Sequence, residues 1–501
     1  MRRAQKTPAL VLAVMLGVTP FAAVTSRAQS PLSPEPTAAQ PPAASDIDSS
    51  PLPPPAAPAS PAPAAPKVET PKAEAPKAEI PKSEIPKSEV PKSEAPTPAA
   101  QAKPPGAAPQ PAAAKPKPRP KPVPREMALS DDPTPVLQPE TFFTTAKASE
   151  RYAAIADAGG WPVVPGDLKP GARGPAVEIL RRRLAVEGDL GGAEANGTRW
   201  TPALTAAVKR FQFRNGLRQT GVVAGMTLRA MNIPANVRFK QLASSAQRLA
   251  GLNFPFGDRY VVVNLPSTAV DAVENGRVFH RYAAIVGGPE HQSPQLSAKI
   301  IAINLNPTWT VPVSIIKNEI IPKMRKQPNY LARDHIRILN YQGKEIDPRS
   351  IDWNSDKATN YILRQDPGKG NALGLIRLQM PNPDAVYMHD TPTRNLFAND
   401  YRFLSHGCVR VQGVYDLAAW VLQGVPATAA IATAGPAPSI SPDLGVWTAQ
   451  LIQQRIASGV REDIKLPQPV PVVWVYMTGW ASADGMVHFR DDVYNIDTVG
   501  G

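Results

Sequence analysis

Apolar and polar positions follow three rhythms along this chain, and the first is helical. Val177, Leu180 and Leu184 recur at i, i+3 and i+7 behind Gly174-Pro175, which sets proline at a first helical position. Leu204, Val208 and Phe211 repeat the pattern after Thr201-Pro202, a second helix-start signal. A third short helix is predicted around Thr227 to Asn232, stopped by Pro234. Together the three make a compact helical module. The segment from about Ala235 to Ala250 carries Phe239, Leu242, Ala246 and Leu249 at 3-4-3 spacing, a narrow apolar stripe suited to docking that module onto the next part of the chain.

From Tyr260 the period becomes two. RYVVVNLP and AVDAVENGRVFHRYAAIVGG read as strands, and Asn275-Gly276 between two strand-like runs is a type I′ hairpin signal. Residues 311–370, with a helix over Ser314 to Lys326 and several loops, interrupt the alternation and read as an inserted cap. Strands resume at ALGLIRLQM and AVYMHD, and Val414 to Leu422 is helical again. PVPVVWVYM and GMVHF, turning at Asp484-Gly485, are expected to add a hairpin to the sheet. The fold class is α+β: a β-rich domain with an inserted cap, plus the three-helix module.

The third rhythm is the absence of one. Residues 29–138 are dominated by Pro, Ala, Lys and Glu, with too little apolar bulk to repay the entropy of folding, and read as a disordered linker. Within it a pentapeptide such as PKSEA repeats six times over residues 66–95, favouring a semi-rigid polyproline II spacer. The formal charge of +13 belongs partly to KPKPRPKPVPR at residues 115–125, read as a solvated spacer with electrostatic attachment to an anionic surface, such as acidic wall polymer or lipid, as the competing reading; no nucleic-acid partner is expected. Ahead of the linker, Arg2, Arg3 and Lys6 precede an apolar run and Ser26-Arg27-Ala28, the layout of a secretory signal over residues 1–28. The chain is accordingly expected to be exported; a membrane tether arises only if that signal stays uncleaved. The expected division is then scaffold helices at 139–167 and 233–258, the module at 168–232, the β-rich domain at 259–436 with its cap at about 311–370, and a C-terminal helix and hairpin at 437–501. No motif bears on oligomeric state.

Candidate chemistry gathers at FLSHGCVRV, residues 403–411, which holds Cys408, the single cysteine of the chain. No internal disulfide can form, although an exported chain usually pairs its cysteines. A lone cysteine often packs as a small hydrophobe. Here, though, Cys408 sits between Gly407, whose freedom lets successive N–H groups converge, and a strand-like Val409-Arg410-Val411. Structural zinc wants four ligands and usually several thiolates, so no metal or other cofactor is expected; one zinc held by His389, His406 and Cys408 is the competing arithmetic. As a nucleophile the thiol needs a base beside it. His389 ends a strand nineteen residues earlier and can be laid alongside, so it is assigned as base. His406, two places away, is assigned a structural or oxyanion-supporting role. Arg410 shares the face of Cys408 and offers a planar fork to a substrate carboxylate; a surface salt bridge fits it equally well.

Two stretches resemble known families. LKPGARGPAVEILRRRL, TPALTAAVKRFQFRNGL and GVVAGMTLRAMN are similar to the peptidoglycan-binding module of bacterial wall enzymes, over about Leu168 to Asn232. HD-x14-SHGCVRV resembles the signature of the L,D-transpeptidase, or YkuD-like, catalytic domain, with NPTWTVP, IDPRSIDW, PGKGNALG and VYMHDTP in support, and with the C-terminal segments of the longer periplasmic members. The resemblance implies a cysteine acyltransferase of the periplasm, wall-associated, acting on peptidoglycan. Cys408 takes the acyl group of a tetrapeptide donor stem, D-alanine leaves, and an amine of an acceptor stem resolves the thioester into a 3→3 cross-link. Gly407 and Cys408 supply N–H groups to the oxyanion, while Tyr387, Trp309, Asn371 and Ser405 join Arg410 as substrate-binding residues. A carbapenem is expected to inhibit through an adduct on Cys408. The competing readings are an L,D-carboxypeptidase or hydrolase on the same stems, and a non-catalytic wall-binding scaffold.

Overall fold

The computed structural model describes residues 125–427, 431–432 and 445–498; the signal, the pentapeptide tract and the segment 433–444 lie outside them. Helix α1 (Thr141–Asp157) leads into the module, α2 (Pro175–Glu187), α3 (Pro202–Arg214) and α4 (Gly225–Met231). Proline begins α2 and α3 because its missing N–H is one the first turn leaves unpaired anyway. Thr201 caps α3 by accepting the Leu204 N–H at 3.2 Å. The positions picked out by periodicity, Val177, Leu180, Leu184, Leu204, Val208 and Phe211, close on one another as a single core. Beside it a buried network binds the helices: Glu187 accepts from Arg183 at 2.5 Å and from Arg214 at 2.6 Å, and Arg214 also meets Asp189 at 2.6 Å. Burial opposes the Glu187 charge, but the two guanidiniums prevail and hold its carboxyl below the usual range.

Helix α5 (Ala235–Ala250) packs along α1 and carries the chain to the sheet. The strands are β1 (Arg259–Asn264), β2 (Ala269–Glu274), β3 (Arg277–Gly287), β4 (Leu296–Leu305) and then, inside the cap, β5 (Trp309–Thr310), β6 (Ile336–Leu339) and β7 (Ile362–Gln365). The main sheet continues with β8 (Ile376–Gln379), β9 (Met388–His389), β10 (Phe403–Ser405), β11 (Val409–Val411), β12 (Ile431–Ala432) and β13 (Glu462–Val475). Its order is β1-β2-β3-β11-β9-β8-β4-β13, and a parallel pairing of β13 with β1, Val261 opposite Val472, closes it into a barrel. Asn275 and Gly276 both take positive φ between β2 and β3, as the hairpin signal requires.

Alternation sorts each strand between two cores. Val261 and Val263 of β1 face the main core with Trp474, Met388 and Val409, while Tyr260 and Val262 face a second core with Val136, Leu137, Leu249 and Trp480. Helix α9 (Val414–Val421) buries Leu417 and Trp420 in the main core, and α10 (Ala449–Ala457) adds Leu451 and Ile452. The cap has a core of its own, built from Ile316, Ile320, Ile321, Met324, Ile338 and Leu363 over α6 (Val313–Ile315), a π-helical turn at Ile316–Ile320, α7 (Ile321–Lys326), α8 (Tyr330–Arg333) and strands β5-β7-β6.

Two expectations change. Residues 125–138, assigned to the linker by composition, are folded: Met127 bridges to Leu217, Leu137 is buried, and the Arg281 guanidinium donates to the carbonyls of Ser130, Asp132 and Thr134. The C-terminal hairpin does not extend the main sheet. PVPVVWV belongs to β13, which is already paired with β4 and β1 on its two edges, so β14 (Gly479–Ala481) and β15 (Val487–Phe489) form a separate ribbon against α1 and α5.

Candidate active site

Strand β9 lies between β8 and β11, and its parallel register with β11 sets Val409 opposite Met388 and Arg410 opposite His389. Because side chains alternate, Met388, Val409 and Val411 are buried in the main core, and Tyr387, His389, Cys408 and Arg410 are left on the cavity side, where Tyr387 and Cys408 still pack against the edge of that core. All four line one cavity of about 490 Å³. His389 stands one diagonal step from Cys408, roughly 7–8 Å between backbones by strand geometry. The cap roofs the cavity with Trp309, Glu319, Ile320, Lys323, Tyr330 and Ile336.

The protonation states follow from burial. His389 is buried, and desolvation together with the Arg410 charge pushes its imidazole down to about 3, against weaker hydrogen bonds to the backbone of Asp390 and Leu373. The imidazole is neutral at neutral pH, and its Nδ1 has no hydrogen-bond partner among the described residues. Burial pushes the Cys408 thiol up to about 11; the Tyr387 backbone and Arg410 pull the other way but lose. At neutral pH Cys408 is therefore a thiol and His389 a neutral imidazole, both lining the same cavity.

Gly407 takes φ +107°, a conformation that favours glycine, and its carbonyl is held by the Ser293 hydroxyl at 2.6 Å. The Ser405 hydroxyl donates to the Cys408 carbonyl at 2.5 Å. Both carbonyls are thus turned onto the scaffold, and the N–H groups of Gly407 and Cys408 have no acceptor among the described residues. That is the arrangement an oxyanion needs. Ser405 serves this loop through its backbone contact while also lining the cavity.

Arg410 is partly buried beside the thiol; desolvation lowers its affinity for the proton, and its Nε is without a partner among the described residues. It donates to Thr393 Oγ1 at 3.5 Å, and the surface salt bridge allowed by the sequence does not form among the described residues. Tyr387 and Trp309 line the cavity as expected. Asn371 does not. It is buried, and its amide is used on the carbonyls of Pro307 and Asp366 and the N–H of Leu373, which makes it a brace for the loop after the cap.

His406 turns away from the sulfur. Its Nε2 meets Glu319 Oε1 of the cap at 2.8 Å, and its ring stacks on His291 with centroids 4.5 Å apart. The oxyanion half of its expected role has no support in this geometry, nor does a zinc shared with His389 and Cys408: among the described residues no group of three or more His, Cys, Asp or Glu is arranged to hold a metal ion. Glu319, His291 and Ser293 were missed by sequence reasoning. Each reaches the motif from 87 to 115 positions away, so no local spacing could flag them.

Two family models match parts of this chain. Residues 258–428 match the family described as L,D-transpeptidase catalytic domain (YkuD), and residues 173–231 match the one described as "Putative peptidoglycan binding domain". A Haemophilus influenzae protein named "Putative L,D-transpeptidase" is 33% identical over 259 residues, which is 52% of this chain and 48% of that protein, so the match spans about half the length of the relative. Among solved structures, an L,D-transpeptidase from Xylanimonas cellulosilytica is 16% identical, with 62% of this chain and 99% of that one covered and a TM-score of 0.19. One from Stackebrandtia nassauensis is 17% identical, with 50% and 85% covered and a TM-score of 0.21. On the sequence matches, residues 258–428 are a catalytic domain of the L,D-transpeptidase family, preceded in the same chain by a peptidoglycan-binding domain.

Proposed function

We propose that the chain is an exported, wall-associated L,D-transpeptidase of the periplasm that forms 3→3 peptidoglycan cross-links through a thioester on Cys408. The observation that carries this reading is the cluster of Cys408, neutral His389 and Arg410 with its unpaired Nε on one sheet face beneath a cap. The donor is a tetrapeptide stem, its carboxylate met by the Arg410 fork. His389 takes the thiol proton as sulfur attacks the carbonyl between the third residue and D-alanine, and the N–H groups of Gly407 and Cys408 receive the oxyanion. On collapse the C–N bond breaks, the imidazolium returns its proton to the departing amine, and D-alanine leaves. An acceptor-stem amine then attacks the thioester, its proton passes to His389 and on to the sulfur, and the new amide is released with free thiol restored. A thioester retains acyl-transfer potential with no cofactor consumed. The cap residues that exclude water favour amine over hydrolysis.

Product analysis after incubation with tetrapeptide muropeptides tests this: cross-linked dimers and equimolar D-alanine are expected. Tripeptide monomers alone would assign a carboxypeptidase instead, and unchanged substrate would leave a wall-binding scaffold.

A further inference from the structure

A second cavity, of about 530 Å³, lies between the helical module, the β14–β15 ribbon and the start of β10, and the chemistry at Cys408 does not use it. Its size is that of a small-molecule or peptide site. Arg229, Arg238 and Arg490 line it, the last two 2% and 9% exposed. Among the described residues several other buried guanidiniums meet carboxylates, Arg183 and Arg214 on Glu187, Arg281 on Asp271 and Arg455 on Glu462, whereas Arg402 spends all three of its nitrogens on Ala284, Asn399 and Thr268. Arg238 and Arg490 have no ion-pair partner among the described residues. Arg238 donates to Gln241, Asn215 and the Ala230 carbonyl and lies 4.3 Å over the Phe489 ring. Arg490 gives Nη1 to the carbonyls of Arg214 and Phe489, while its Nε and Nη2 donate to nothing among the described residues.

The positive φ of Gly216 lets its backbone lie flat on the Arg490 guanidinium, where any Cβ would stand 2.7 Å from Cζ. The cation is thereby fixed in place. Desolvation pulls Arg238 down to about 10, against the attraction of Glu187, and Arg490 down to about 9, with Arg281 and Arg238 adding repulsion and Asp491 opposing them. Two carboxylates also line the cavity. Asp400 is taken by the N–H groups of Glu126 and Met127 and by Arg125, and Asp491 stands exposed at the mouth. Buried cations left without a close counter-ion are costly unless an anion arrives.

We propose that this cavity is a second binding site, for a carboxylate-ended peptide whose acid meets Arg490 and Arg229 and whose aliphatic part lies on Met127, Leu217, Phe403 and Phe489. Guanidinium forks suit carboxylates, and the apolar walls suit a chain with methyl and methylene groups rather than a bare inorganic anion. That the peptide is a wall stem rests on the function proposed above. The site is made jointly by the peptidoglycan-binding domain and by β10, the strand that runs into Ser405 and Cys408, so one polymer can be held at both places.

The test is calorimetric titration of the full chain carrying Cys408→Ala with a tetrapeptide stem ending in meso-diaminopimelyl-D-alanine, and with its C-terminal amide. Two equivalents are expected. The second should weaken about tenfold or more with the amide, with Arg229→Glu and with Arg490→Gln, the loss of a charge-assisted contact. Arg229 is exposed on α4, so its variant keeps the test open if the Arg490 variant does not fold. A single equivalent, or a second one indifferent to Arg229→Glu, overturns the proposal. Acylation of the wild-type Cys408 is read in parallel: an adduct with only one equivalent sinks this site and leaves the transpeptidase reading, whereas two equivalents without an adduct do the reverse.

Discussion

Burial decides how the pair at the proposed reaction centre carries its proton. With His389 down to about 3 and Cys408 up to about 11, imidazole is neutral and thiol protonated across the whole physiological range. The form competent for base-assisted attack is lost only when pH falls through the lower value, protonating the base, or rises through the upper one. The second-order rate of carbapenem acylation should therefore be flat from about pH 5 to about pH 9. A limb with a midpoint near 7 would mean that one of the two groups titrates there and that a preformed ion pair does the work. Removing the base, His389→Ala, should slow acylation by about 10² to 10⁴. At Arg410 the fork matters as well as the charge, so Arg410→Lys should raise KM for the stem about tenfold with kcat less affected, read from steady-state kinetics. The motif itself, Gly407, Cys408, Arg410 and the earlier His389, was legible because local spacing carries it. Asn371, which the resemblance put among the substrate-binding residues, has its amide consumed by Pro307, Asp366 and Leu373, contacts that no spacing in the sequence reveals.

Among elements, the cap is joined to the catalytic loop by the hydrogen bond from His406 to Glu319, whose other oxygen accepts from Lys323 at 2.9 Å. Both side chains of the first pair are well over a quarter exposed, so solvent screening keeps its contribution small. Glu319→Ala should loosen the roof and shorten the lifetime of the acyl-enzyme in the absence of acceptor about two- to fivefold, seen as faster loss of the mass adduct. In the module, Thr201→Ala removes the cap of α3 and should lower stability by about 1 kcal/mol in denaturant unfolding. Helices α2 to α5 and the β2–β3 turn were readable because each announces itself within a dozen residues. Residues 125–138 were not: what orders them is Arg281 and Leu217, far along the chain, against a composition that favours disorder.

At the scale of the whole molecule, the barrel exists because β13 returns some 200 residues later to lie parallel to β1, a pairing that no local pattern encodes. Trp474 on β13 fills the core at that closure and is 1% exposed; Trp474→Ala should cost about 3–5 kcal/mol by calorimetry or denaturant melting. The same closure occupies both edges of β13 and so displaces the C-terminal ribbon onto α1 and α5, which is how it comes to wall the second cavity. Everything proposed for the first cavity converges on one sulfur atom. The most direct measurement is intact and peptide-level mass spectrometry of the full chain quenched during turnover of a tetrapeptide stem: the wild-type protein should gain the mass of the stem less D-alanine, mapped to Cys408, with one D-alanine freed per adduct. Release of D-alanine by the Cys408→Ala protein, or turnover with the cysteine never modified, would contradict it.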